Sequence, residues 1–407
     1  MKCRFCDNEL NDIFLSLGSS PLSNSYLTRE QLLKMEPYYP LKVYVCNKCF
    51  LVQLEEFESP QHIFNDYAYF SSYSDTWLKH AKDYAAKMIK LFNINNQSTV
   101  IEIASNDGYL LQYFIQRGIP VLGIEPAANV AKVAKEKGIP TETVFFGLHA
   151  AKELVKKGKY ADLIVGNNVL AHVPNLNDFI KGLKFLLKPK GIITLEFPHL
   201  MRLIEGIQFD TIYHEHFSYF SLLTLEKVFD KYGLTVFDVE ELSTHGGSLR
   251  IYVRHQDDNT RTITERIYDL KDRETKFGLM DINFYTSFGE KVNAVKLDML
   301  NFLIKVKKEG KSIVGYGAPA KGNTLINYCG IKTDFLDYTV DKNPHKQGRY
   351  LPGSHIPIES PEKIKKTKPD YVFILPWNLK DEIMEQMNFV RDWNCKFVIP
   401  IPMLKVI

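Results

Sequence analysis

Between residues 98 and 199 the chain alternates short apolar runs with segments in which apolar residues recur every three or four positions. The runs "STVIEIAS", "PVLGIEP", "TETVFF" and "GIITLEFPH" are typical of strands, whereas "GYLLQYFIQRG", "AANVAKVAKEKG" and "LHAAKELVKKG" have the period of amphipathic helices. Strands that alternate with helices, separated by Gly or Pro, indicate a parallel sheet covered on both faces. The pattern therefore predicts a doubly wound, Rossmann-like α/β domain.

The pattern changes twice after this domain. A helix and two strand-like runs over residues 222–255 predict an antiparallel edge, and the polar stretch "QDDNTRT" and a long helical segment follow them. After Gly310 the strand and helix rhythm restarts, which predicts a second, smaller α/β domain. We therefore divide the chain into an N-terminal module (1–66), a central domain (67–256) and a C-terminal α/β domain (257–407).

Composition narrows the class of protein. The 407 residues are 45% hydrophobic and 24% charged, with a formal net charge of +3, which is ordinary globular usage without the broad basic surface that nucleic acids or anionic membranes require. The start "MKCRFCDNEL" has no apolar signal region, and no run of about 18 apolar residues follows. We expect a cytoplasmic monomer with a small-molecule partner, and no membrane or nucleic-acid partner.

Four of the six cysteines, Cys3, Cys6, Cys46 and Cys49, form two CxxC pairs in the first fifty residues. Paired thiolates suit a tetrahedral zinc ion, and closing a long loop with a metal costs little extra entropy. No nearby histidine or carboxylate competes as a ligand, which favours a structural zinc over a catalytic one. One alternative is a zinc ribbon that binds nucleic acid. The other is that the four cysteines are buried by coincidence and bind no metal.

A candidate ligand site follows the first two strands of the central domain. Glu102 lies within the first strand, the turn from Ala104 through Asn106 and Asp107 follows it, and Glu125 and Pro126 end the second. Ligands of doubly wound sheets bind beyond the carboxyl ends of the strands, where a carboxylate can hold a ribose diol. The turn lacks the GxGxxG of dinucleotide sites and carries an acidic residue where phosphate would be repelled. Acidic and amide groups instead suit S-adenosylmethionine (SAM), although an ordinary strand-to-helix turn stays possible.

Three polar residues extend this site. Asn167, Asn168 and His172 follow the fourth strand of the sheet, which places them near the same rim as Glu125. A lone histidine is more often structural than catalytic, but its place at the carboxyl edge of such a sheet makes His172 a candidate.

The segment "YHEHFSYFS" at 213–221 allows three interpretations: a metal site, a buried aromatic turn or an acid/base site. An extended chain would place Tyr213 and Glu215 on one side, whereas a helical chain would place Tyr213 and His216 on one face. Metal binding needs a third good ligand, and aromatic packing leaves the glutamate and histidines unexplained. An acid/base site is the simplest account, because imidazole titrates near neutrality and a carboxylate can fix its tautomer.

Two glycine-containing segments are candidate anion sites. In "THGGSLR", Ser248 and Arg250 follow a glycine pair, and in "GYGAPAKGNT", Tyr316, Lys321 and Asn323 surround a predicted helix start. Two such sites suit a diphosphate, for example that of a nucleotide sugar. Both segments have the alternative of being only turns, and the second also allows a weaker nicotinamide-site hypothesis.

With these residues in view, the chain resembles the nucleotide-sugar C-methyltransferases, which use SAM to methylate a carbon of a 4-keto-deoxysugar nucleotide. The resemblance covers nearly the whole chain and rests on the paired CxxC, "LGSSPLSNSYL", "YAYFSSYSDTW", "EIASNDGYLL", "GIEP", "YHEHFSYFS", "HGGSLR" and "GYGAPAKGNTLIN". It implies a zinc-bearing N-terminal domain, a central methyltransferase domain and a C-terminal α/β domain, with the active site between the last two.

The resemblance also implies residue roles. Tyr213, Glu215 and His216 match the catalytic tyrosine, glutamate and histidine of the family, and His172 matches a second active-site histidine. The family's tyrosine-serine segment corresponds to Tyr67, Tyr69, Ser71 and Ser72.

Chemistry gives these residues a coherent order. A carbon beside a ketone loses its proton only if the enolate is stabilised, so we expect His216 to act as the base, Glu215 to support it, and Tyr213 with His172 to hold the keto oxygen. A methyltransferase for a sugar hydroxyl or amine is the main alternative, and a zinc-ribbon nucleic-acid methyltransferase is a more distant one.

Overall fold

A computed structural model describes residues 1–59 and 70–407. The strands within these residues are β1 (Asp12–Ser20), β2 (Tyr39–Val45), β3 (Val52–Leu54), β4 (Val100–Ile103), β5 (Val121–Ile124), β6 (Thr141–Glu142), β7 (Ala161–Asn167), β8 (Leu187–Pro198), β9 (Ser218–Tyr219), β10 (Leu234–Leu242), β11 (Ser248–His255), β12 (Ile313–Tyr316), β13 (Thr339–Val340), β14 (Ile358–Glu359), β15 (Tyr371–Ile374), β16 (Lys396–Ile399) and β17 (Lys405–Val406).

The α-helices of the same residues are α1 (Asp75–Phe92), α2 (Leu111–Ile115), α3 (Ala128–Glu136), α4 (Leu148–Lys156), α5 (Leu176–Leu186), α6 (Leu200–Glu205), α7 (Leu222–Asp230), α8 (Glu265–Phe277), α9 (Ile282–Thr286), α10 (Phe288–Lys308), α11 (Ala320–Cys329), α12 (Glu362–Thr367) and α13 (Lys380–Gln386). Short 3-10 helices span Gln31–Leu33, Ser71–Tyr73, Leu170–His172, Phe209–Thr211, Thr244–Gly246, Trp377–Leu379 and Asn388–Trp393. In the part of the chain that the structure describes, no helix is both long and apolar enough to cross a bilayer.

The chain forms two compact units, each built from three segments. Unit 1 comprises Met1–Leu10, Cys46–Leu200 and Phe217–Met280, and unit 2 comprises Asn11–Val45, Met201–His216 and Asp281–Ile407. The segment that carries "YHEH" therefore belongs to unit 2, although the sequence division placed it in the central domain.

Unit 1 contains a mixed sheet whose described strands have the order β10-β11-β8-β7-β4-β5-β6. The five strands from β8 to β6 are parallel, whereas β11 is antiparallel to both β8 and β10, which confirms the predicted antiparallel edge. Because β4 lies between β5 and β7, the strand order reverses at β4. This switch point is where doubly wound sheets bind ligands, at the carboxyl ends of the strands.

Amphipathic helices bury their apolar faces against this sheet. One core joins Tyr84 and Met88 of α1 to Phe114 of α2 and to Val100 and Val165 of the central strands. Ser74 caps α1 by accepting from the Trp77 amide. The predicted strand "TETVFF" is reduced to the two residues of β6 at the sheet edge, because an edge strand has one neighbour to pair with and Val144 and Phe145 are exposed.

Unit 2 contains a second, smaller sheet in the described residues, with the order β14-β13-β12-β15-β16-β17. Its pairings are parallel except for β16 and β17, so the predicted C-terminal α/β fold is confirmed. The antiparallel pair β1 and β2 packs on α9 and α10, where the Phe14 ring stacks on Phe288 at 4.8 Å and meets Tyr285 edge-on.

Candidate active site and metal centre

The loop after β4 turns sharply because three residues adopt left-handed backbone angles. Ala104, Asn106 and Gly108 have φ values of 56°, 49° and 77°. A Cβ atom at Gly108 would lie 2.0 Å from the Ile139 Cδ1 atom, so the loop requires glycine there. Left-handed non-glycine residues cost free energy and cluster at ligand sites, and here they bring Asn106 and Asp107 to the carboxyl end of the central strand.

Glu125, immediately after β5, fixes this loop from the next strand. Its carboxylate accepts the Asn106 amide at 2.9 Å and the Ala127 amide at 2.8 Å. Burial raises the pKa of Glu125, and the two amides oppose that shift. Burial also raises the pKa of Glu102, inside β4, well above its usual range. Each carboxylate oxygen of Glu125 keeps a further lone pair, so the group can still accept the hydroxyls of a diol next to Pro126.

The 3-10 helix at 71–73 packs on the same loop. The Ser71 amide donates to the Asn106 Oδ1 atom at 2.8 Å, and the Ser72 hydroxyl donates to the Asp107 carboxylate. The Lys137 Nζ atom lies 3.0 Å from that carboxylate. Asp107 is therefore part of an ion pair with Lys137. Its charge is compensated, whereas the sequence suggested an uncompensated carboxylate beside the cofactor. Tyr67 and Tyr69 lie outside the described residues.

Asn167 at the end of β7 is the strongest sign of a ligand in unit 1. Its side chain is buried, and neither its Oδ1 nor its Nδ2 atom has a hydrogen-bond partner within residues 1–59 and 70–407. A buried amide without partners costs free energy that a bound ligand would recover. The next residue, Asn168, has φ 54° and its Nδ2 atom lies 3.1 Å from the His245 Nε2 atom, while His172 ends the following 3-10 helix.

These groups fit SAM. A buried amide at the end of β7, a carboxylate held by two amides after β5 and a tight polar loop after β4 surround the switch point, and the fold supplies the crevice. Of the candidates in unit 1, hydrogen bonds join Ser71 to Asn106, Ser72 to Asp107 and Asn106 to Glu125. Glu102 is buried inside β4, and the others end or follow strands of the same sheet: Ala104, Pro126, Asn167, Asn168 and His172.

Cys3, Cys6, Cys46 and Cys49 come together in unit 1, with their sulfur atoms all within 4.8 Å of one another. The Cys3 and Cys49 sulfurs are 3.6 Å apart, and those of Cys6 and Cys46 are 3.5 Å apart. A zinc ion with bonds of about 2.3 Å needs sulfurs roughly 3.8 Å apart, so the cluster fits a tetrahedral zinc.

The two CxxC turns share one backbone design. The Asp7 amide donates to the Cys3 carbonyl at 3.0 Å and the Phe50 amide to the Cys46 carbonyl at 2.8 Å, and both Asp7 and Phe50 have left-handed φ values. The Gln53 amide also donates to the Cys3 sulfur at 3.2 Å, a contact that stabilises a thiolate. The geometry is that of a closed site with four sulfur ligands, as structural zinc requires.

In unit 2, residues 213–216 form a turn rather than a strand or a helix. The His216 amide donates to the Tyr213 carbonyl at 2.9 Å, so the two rings share one side and their centroids are 4.1 Å apart. The His216 Nδ1 atom lies 2.8 Å from the Thr211 carbonyl oxygen. A carbonyl only accepts, so the neutral ring carries its proton on Nδ1 and Nε2 is its basic nitrogen.

Glu215 and His214 point to different partners. The Asn24 amide donates to Glu215 at 2.6 Å, and burial raises the pKa of Glu215 to about 7 although this hydrogen bond opposes the shift. The His214 Nε2 atom lies 3.2 Å from the Pro40 carbonyl, and burial lowers the pKa of His214. Within residues 1–59 and 70–407 the cluster of potential metal ligands is the cysteine one, which argues against a metal at the two histidines.

Lys321, in the first turn of α11, lies in a polar cluster of unit 2. Its Nζ atom contacts the Asn378 Oδ1 atom and lies 4.8 Å from the centroid of the Trp377 ring. The Trp377 indole donates to Asp210 at 2.7 Å. Burial raises the pKa of Asp210 to about 6, with Lys321 opposing, and burial lowers the pKa of Lys321, with Asp210 opposing. The ammonium thus contacts an amide oxygen and a ring, and its charge interacts with the Asp210 carboxylate without a direct ion pair in the described residues.

Tyr316 and Asn323 flank Lys321 on β12 and α11. Tyr316 is buried, and burial raises its pKa to about 12, so the hydroxyl stays protonated. The Asn323 amide donates to the Ser23 carbonyl at 3.1 Å. Gly317 has φ 87°, and a Cβ atom there would lie 2.6 Å from the Pro376 Cδ atom, so glycine is required for this strand-to-helix turn.

Ser248 and Arg250 lie in unit 1 and are engaged internally. The Ser248 hydroxyl donates to the Thr244 carbonyl at 3.0 Å. The Arg250 guanidinium is buried between Glu196 at 2.6 Å and Glu240 at 3.3 Å. Two carboxylates already compensate its charge, so the contacts favour a structural role over phosphate binding.

Several partners of the site were not found from the sequence: Asn24, Asp210 and Trp377 in unit 2, and His80 and Glu196 in unit 1. Only Asn24 had a signal, because it lies in "LGSSPLSNSYL". The others become recognisable through contacts with residues distant in the sequence.

Three family models match successive parts of the chain. A family model described as a zinc binding domain matches residues 3–64, a methyltransferase domain matches 77–239, and a C-methyltransferase C-terminal domain matches 243–402. C-methyltransferase NovU from Streptomyces niveus is 32% identical over 406 residues, which cover 100% of this chain and 96% of NovU.

More distant similarities are local. Ubiquinone biosynthesis O-methyltransferase from Bartonella bacilliformis is 26% identical over 98 residues, 23% of this chain and 38% of that protein. A crystal structure of magnesium protoporphyrin IX methyltransferase from Synechocystis PCC 6803 with bound SAM is 16% identical, with a TM-score of 0.34 over 47% of this chain and 88% of that one.

The strand order, the loop after β4 and the family models define a Rossmann-like, SAM-dependent methyltransferase with an N-terminal zinc-binding domain. The chain belongs to the C-methyltransferase family, since its similarity to NovU covers nearly the full length of both proteins and residues 243–402 match the C-methyltransferase C-terminal domain.

Proposed function

We propose that this enzyme methylates a carbon of a nucleotide-diphosphate 4-keto-deoxysugar through an enolate. The observation that supports the proposal most directly is the 2.8 Å contact between the His216 Nδ1 atom and the Thr211 carbonyl. It orients the imidazole so that Nε2 is the basic nitrogen of the neutral ring, as a general base requires.

The proposed reaction begins with proton removal from the carbon beside the ketone. His216 takes that proton at Nε2, the C–H electron pair forms a carbon–carbon double bond, and the carbonyl π pair moves to the oxygen to give the enolate. Tyr213, beside the His216 ring, and His172 donate hydrogen bonds to the developing oxyanion. Glu215 supports the base by holding or releasing a proton near neutral pH, since burial raises its pKa to about 7.

The residues that would hold SAM are those at the rim of the unit 1 sheet. Glu125 would accept the ribose hydroxyls, the Asn167 amide would pair with polar groups of the cofactor, and Asn106, Ser71 and Ser72 would shape the loop around it. Tyr67 stays in this proposal from the family resemblance. When bound, SAM supplies an electrophilic methyl group for the carbon nucleophile.

The diphosphate would be anchored by the cation and polar groups at the start of α11. Lys321 supplies the charge, the Tyr316 hydroxyl supplies a neutral donor, and the Asn323 amide, which donates one N–H to the Ser23 carbonyl, supplies its second N–H. Such remote contacts orient the reacting carbon. Ser248 and Arg250 enter the proposal as residues that hold the framework of unit 1, because their polar groups already have protein partners.

The remaining parts of the proposal concern organisation. We infer a structural zinc ion on Cys3, Cys6, Cys46 and Cys49. We also infer that the enzyme is a monomer in the cytoplasm. Its functional domains are those predicted from the sequence, at 1–66, 67–256 and 257–407. The fit of four sulfurs to a zinc tetrahedron supports the first of these.

Solvent exchange of the substrate proton tests the reaction. Wild-type enzyme in deuterium oxide should exchange the α-proton of a suitable 4-keto-sugar nucleotide, and His216→Asn should lose both exchange and methyl transfer by at least about 10²-fold. His214→Asn is the matched control, since His214 contacts the Pro40 carbonyl instead, and it should retain exchange. Exchange that persists in His216→Asn would exclude this histidine as the base.

The same experiment separates the alternative of O- or N-methylation. Transfer to a sugar hydroxyl or amine needs no enolate, so it would give a methylated product without α-proton exchange. The product's NMR spectrum then locates the methyl group on carbon, oxygen or nitrogen.

A further inference from the structure

Glu215 is held by a side chain that is distant in sequence. The Asn24 Nδ2 atom lies 2.6 Å from the Glu215 Oε1 atom, and Glu215 is only 4% exposed. A buried carboxyl depends strongly on its hydrogen-bond partners, because they replace the water that would otherwise solvate its charge.

Asn24 is in turn tied to Tyr26. The Tyr26 hydroxyl lies 3.3 Å from the Asn24 Oδ1 atom and 2.6 Å from the Ala318 carbonyl oxygen. A hydroxyl has one proton, so it donates to one of these two acceptors, and the shorter distance favours the Ala318 carbonyl. The Lys346 Nζ atom donates to that carbonyl as well, at 2.9 Å.

Two arrangements satisfy this chain of groups. When Glu215 is ionised, Asn24 donates its N–H to the carboxylate, and its oxygen faces the Tyr26 hydroxyl, whose proton can go to that oxygen or to the Ala318 carbonyl. When Glu215 is protonated, the carboxyl donates to the Asn24 oxygen, the flipped amide donates to the Tyr26 oxygen, and Tyr26 donates to Ala318. The two arrangements differ by one proton and one amide rotation.

We propose that Asn24 is a positioning residue that holds Glu215 and sets whether its carboxyl carries a proton, through an amide orientation coupled to Tyr26. The relevance of this residue to catalysis rests on the proposed function, in which Glu215 supports the base. The raised pKa of Glu215, about 7, agrees with two arrangements of similar free energy near neutral pH.

The other titratable groups near Asn24, Glu215 and Tyr26 belong to two segments. Tyr213, His214 and His216 are neighbours of Glu215 in its own turn. On the other side of Tyr26, the Lys346 ammonium lies 5.1 Å from the centroid of the Tyr26 ring and 3.9 Å from the Asp341 carboxylate. Lys346 and Asp341 therefore compensate each other beside Tyr26, whereas Asn24 contacts the Glu215 carboxyl itself.

The test is a pH titration of the Glu215 carboxyl, monitored by NMR of the full chain labelled with [δ-¹³C]glutamate. The Glu215→Gln variant assigns the signal. The wild-type midpoint should lie near 7. Asn24→Ala removes a hydrogen bond from both forms, but the bond to the ionised carboxylate is the stronger one, so the midpoint should rise by about one pH unit. Asn24→Asp keeps the side-chain shape but places a second carboxyl beside the first, so its midpoint should rise further than that of Asn24→Ala.

Asn177→Ala is the control, because its amide donates to the Arg4 and Phe5 carbonyls, and it should leave the Glu215 midpoint unchanged. An Asn24→Ala midpoint that stays in place or falls overturns the inference, and if that variant does not fold, the same outcome in Asn24→Asp does so. The titration needs no substrate, so it separates two failures. A wild type without α-proton exchange counts against the proposed reaction only, and an unmoved midpoint counts against the role of Asn24 only.

Discussion

The Arg250 guanidinium lies 2.6 Å from a carboxylate oxygen of Glu196, and both side chains are buried in unit 1. Glu240 approaches the same guanidinium at 3.3 Å. The central carbon of the Arg250 guanidinium lies 4.6 Å from the centroid of the Tyr84 ring. Arg250 thus joins β8, β10 and β11 to α1. The arginine that the sequence suggested as a phosphate ligand is the centre of a buried ion-pair network.

Arg250→Met should therefore destabilise the protein by about 3 kcal/mol, because it leaves Glu196 buried without its closest cationic partner. Equilibrium unfolding in urea measures this loss. The double variant Arg250→Met/Glu196→Gln should recover much of the stability, since the uncompensated charge is then absent. A stable Arg250→Met enzyme with a strongly raised KM for the nucleotide sugar would instead restore the phosphate role.

Glu215 should make stability depend on pH. Its folded-state pKa of about 7 lies above the ordinary 4.5, so the folded state binds the proton more tightly than the unfolded state. This carboxyl stabilises the fold at low pH, and that stability is lost as pH rises from about 4.5 to about 7, by up to roughly 3 kcal/mol. Glu215→Gln should remove this part of the slope in urea unfolding, whereas the exposed Glu385→Gln should keep it. Equal slopes in all three proteins would contradict the burial effect.

The cysteine cluster should bind one zinc ion per chain. Cys46→Ser should lose the metal and lower the thermal midpoint, because the ion joins two segments 43 residues apart. Metal analysis by mass spectrometry and thermal unfolding follow both effects. Cys395→Ala, a buried cysteine outside the cluster, should retain zinc. A metal-free protein with the wild-type midpoint would remove the structural assignment.

Asn167→Ala should weaken SAM binding about tenfold, the effect of one lost hydrogen bond of about 1.4 kcal/mol. Isothermal titration calorimetry measures the dissociation constant. The stability of the free protein should change little or rise, because the buried amide has no partner within residues 1–59 and 70–407. Asn177→Ala should show the reverse pattern, with lower stability and unchanged affinity. An unchanged dissociation constant in Asn167→Ala would place SAM away from this residue.

Local features of the fold were predictable because they depend on residues close in sequence. The alternation of apolar runs and amphipathic helices predicted the parallel strands of both sheets, and the paired CxxC motifs predicted the cysteine cluster. The turn at 213–216 was open between two alternatives, and the structure brings Tyr213 and His216 to one side.

The surroundings of individual charges were not predictable in the same way. Asp107 was expected to present a negative charge to a cationic cofactor, but Lys137 pairs with it. Lys137 comes directly after α3, so its distance from Asp107 depends on how α3 packs on the sheet and not on any local pattern.

The sequence alone determined the α/β class, the order of the motifs and the pairing of the four cysteines, because periodicity and short spacing are local properties. It also predicted which residues bind SAM and which act as acid and base. Only the tertiary structure decided which of those side chains are already engaged. Arg250 is compensated by Glu196 from another strand, and Glu215 is held by Asn24 from 191 residues away. Such pairings arise when distant segments pack together and bury their polar groups, which then need partners that water no longer supplies.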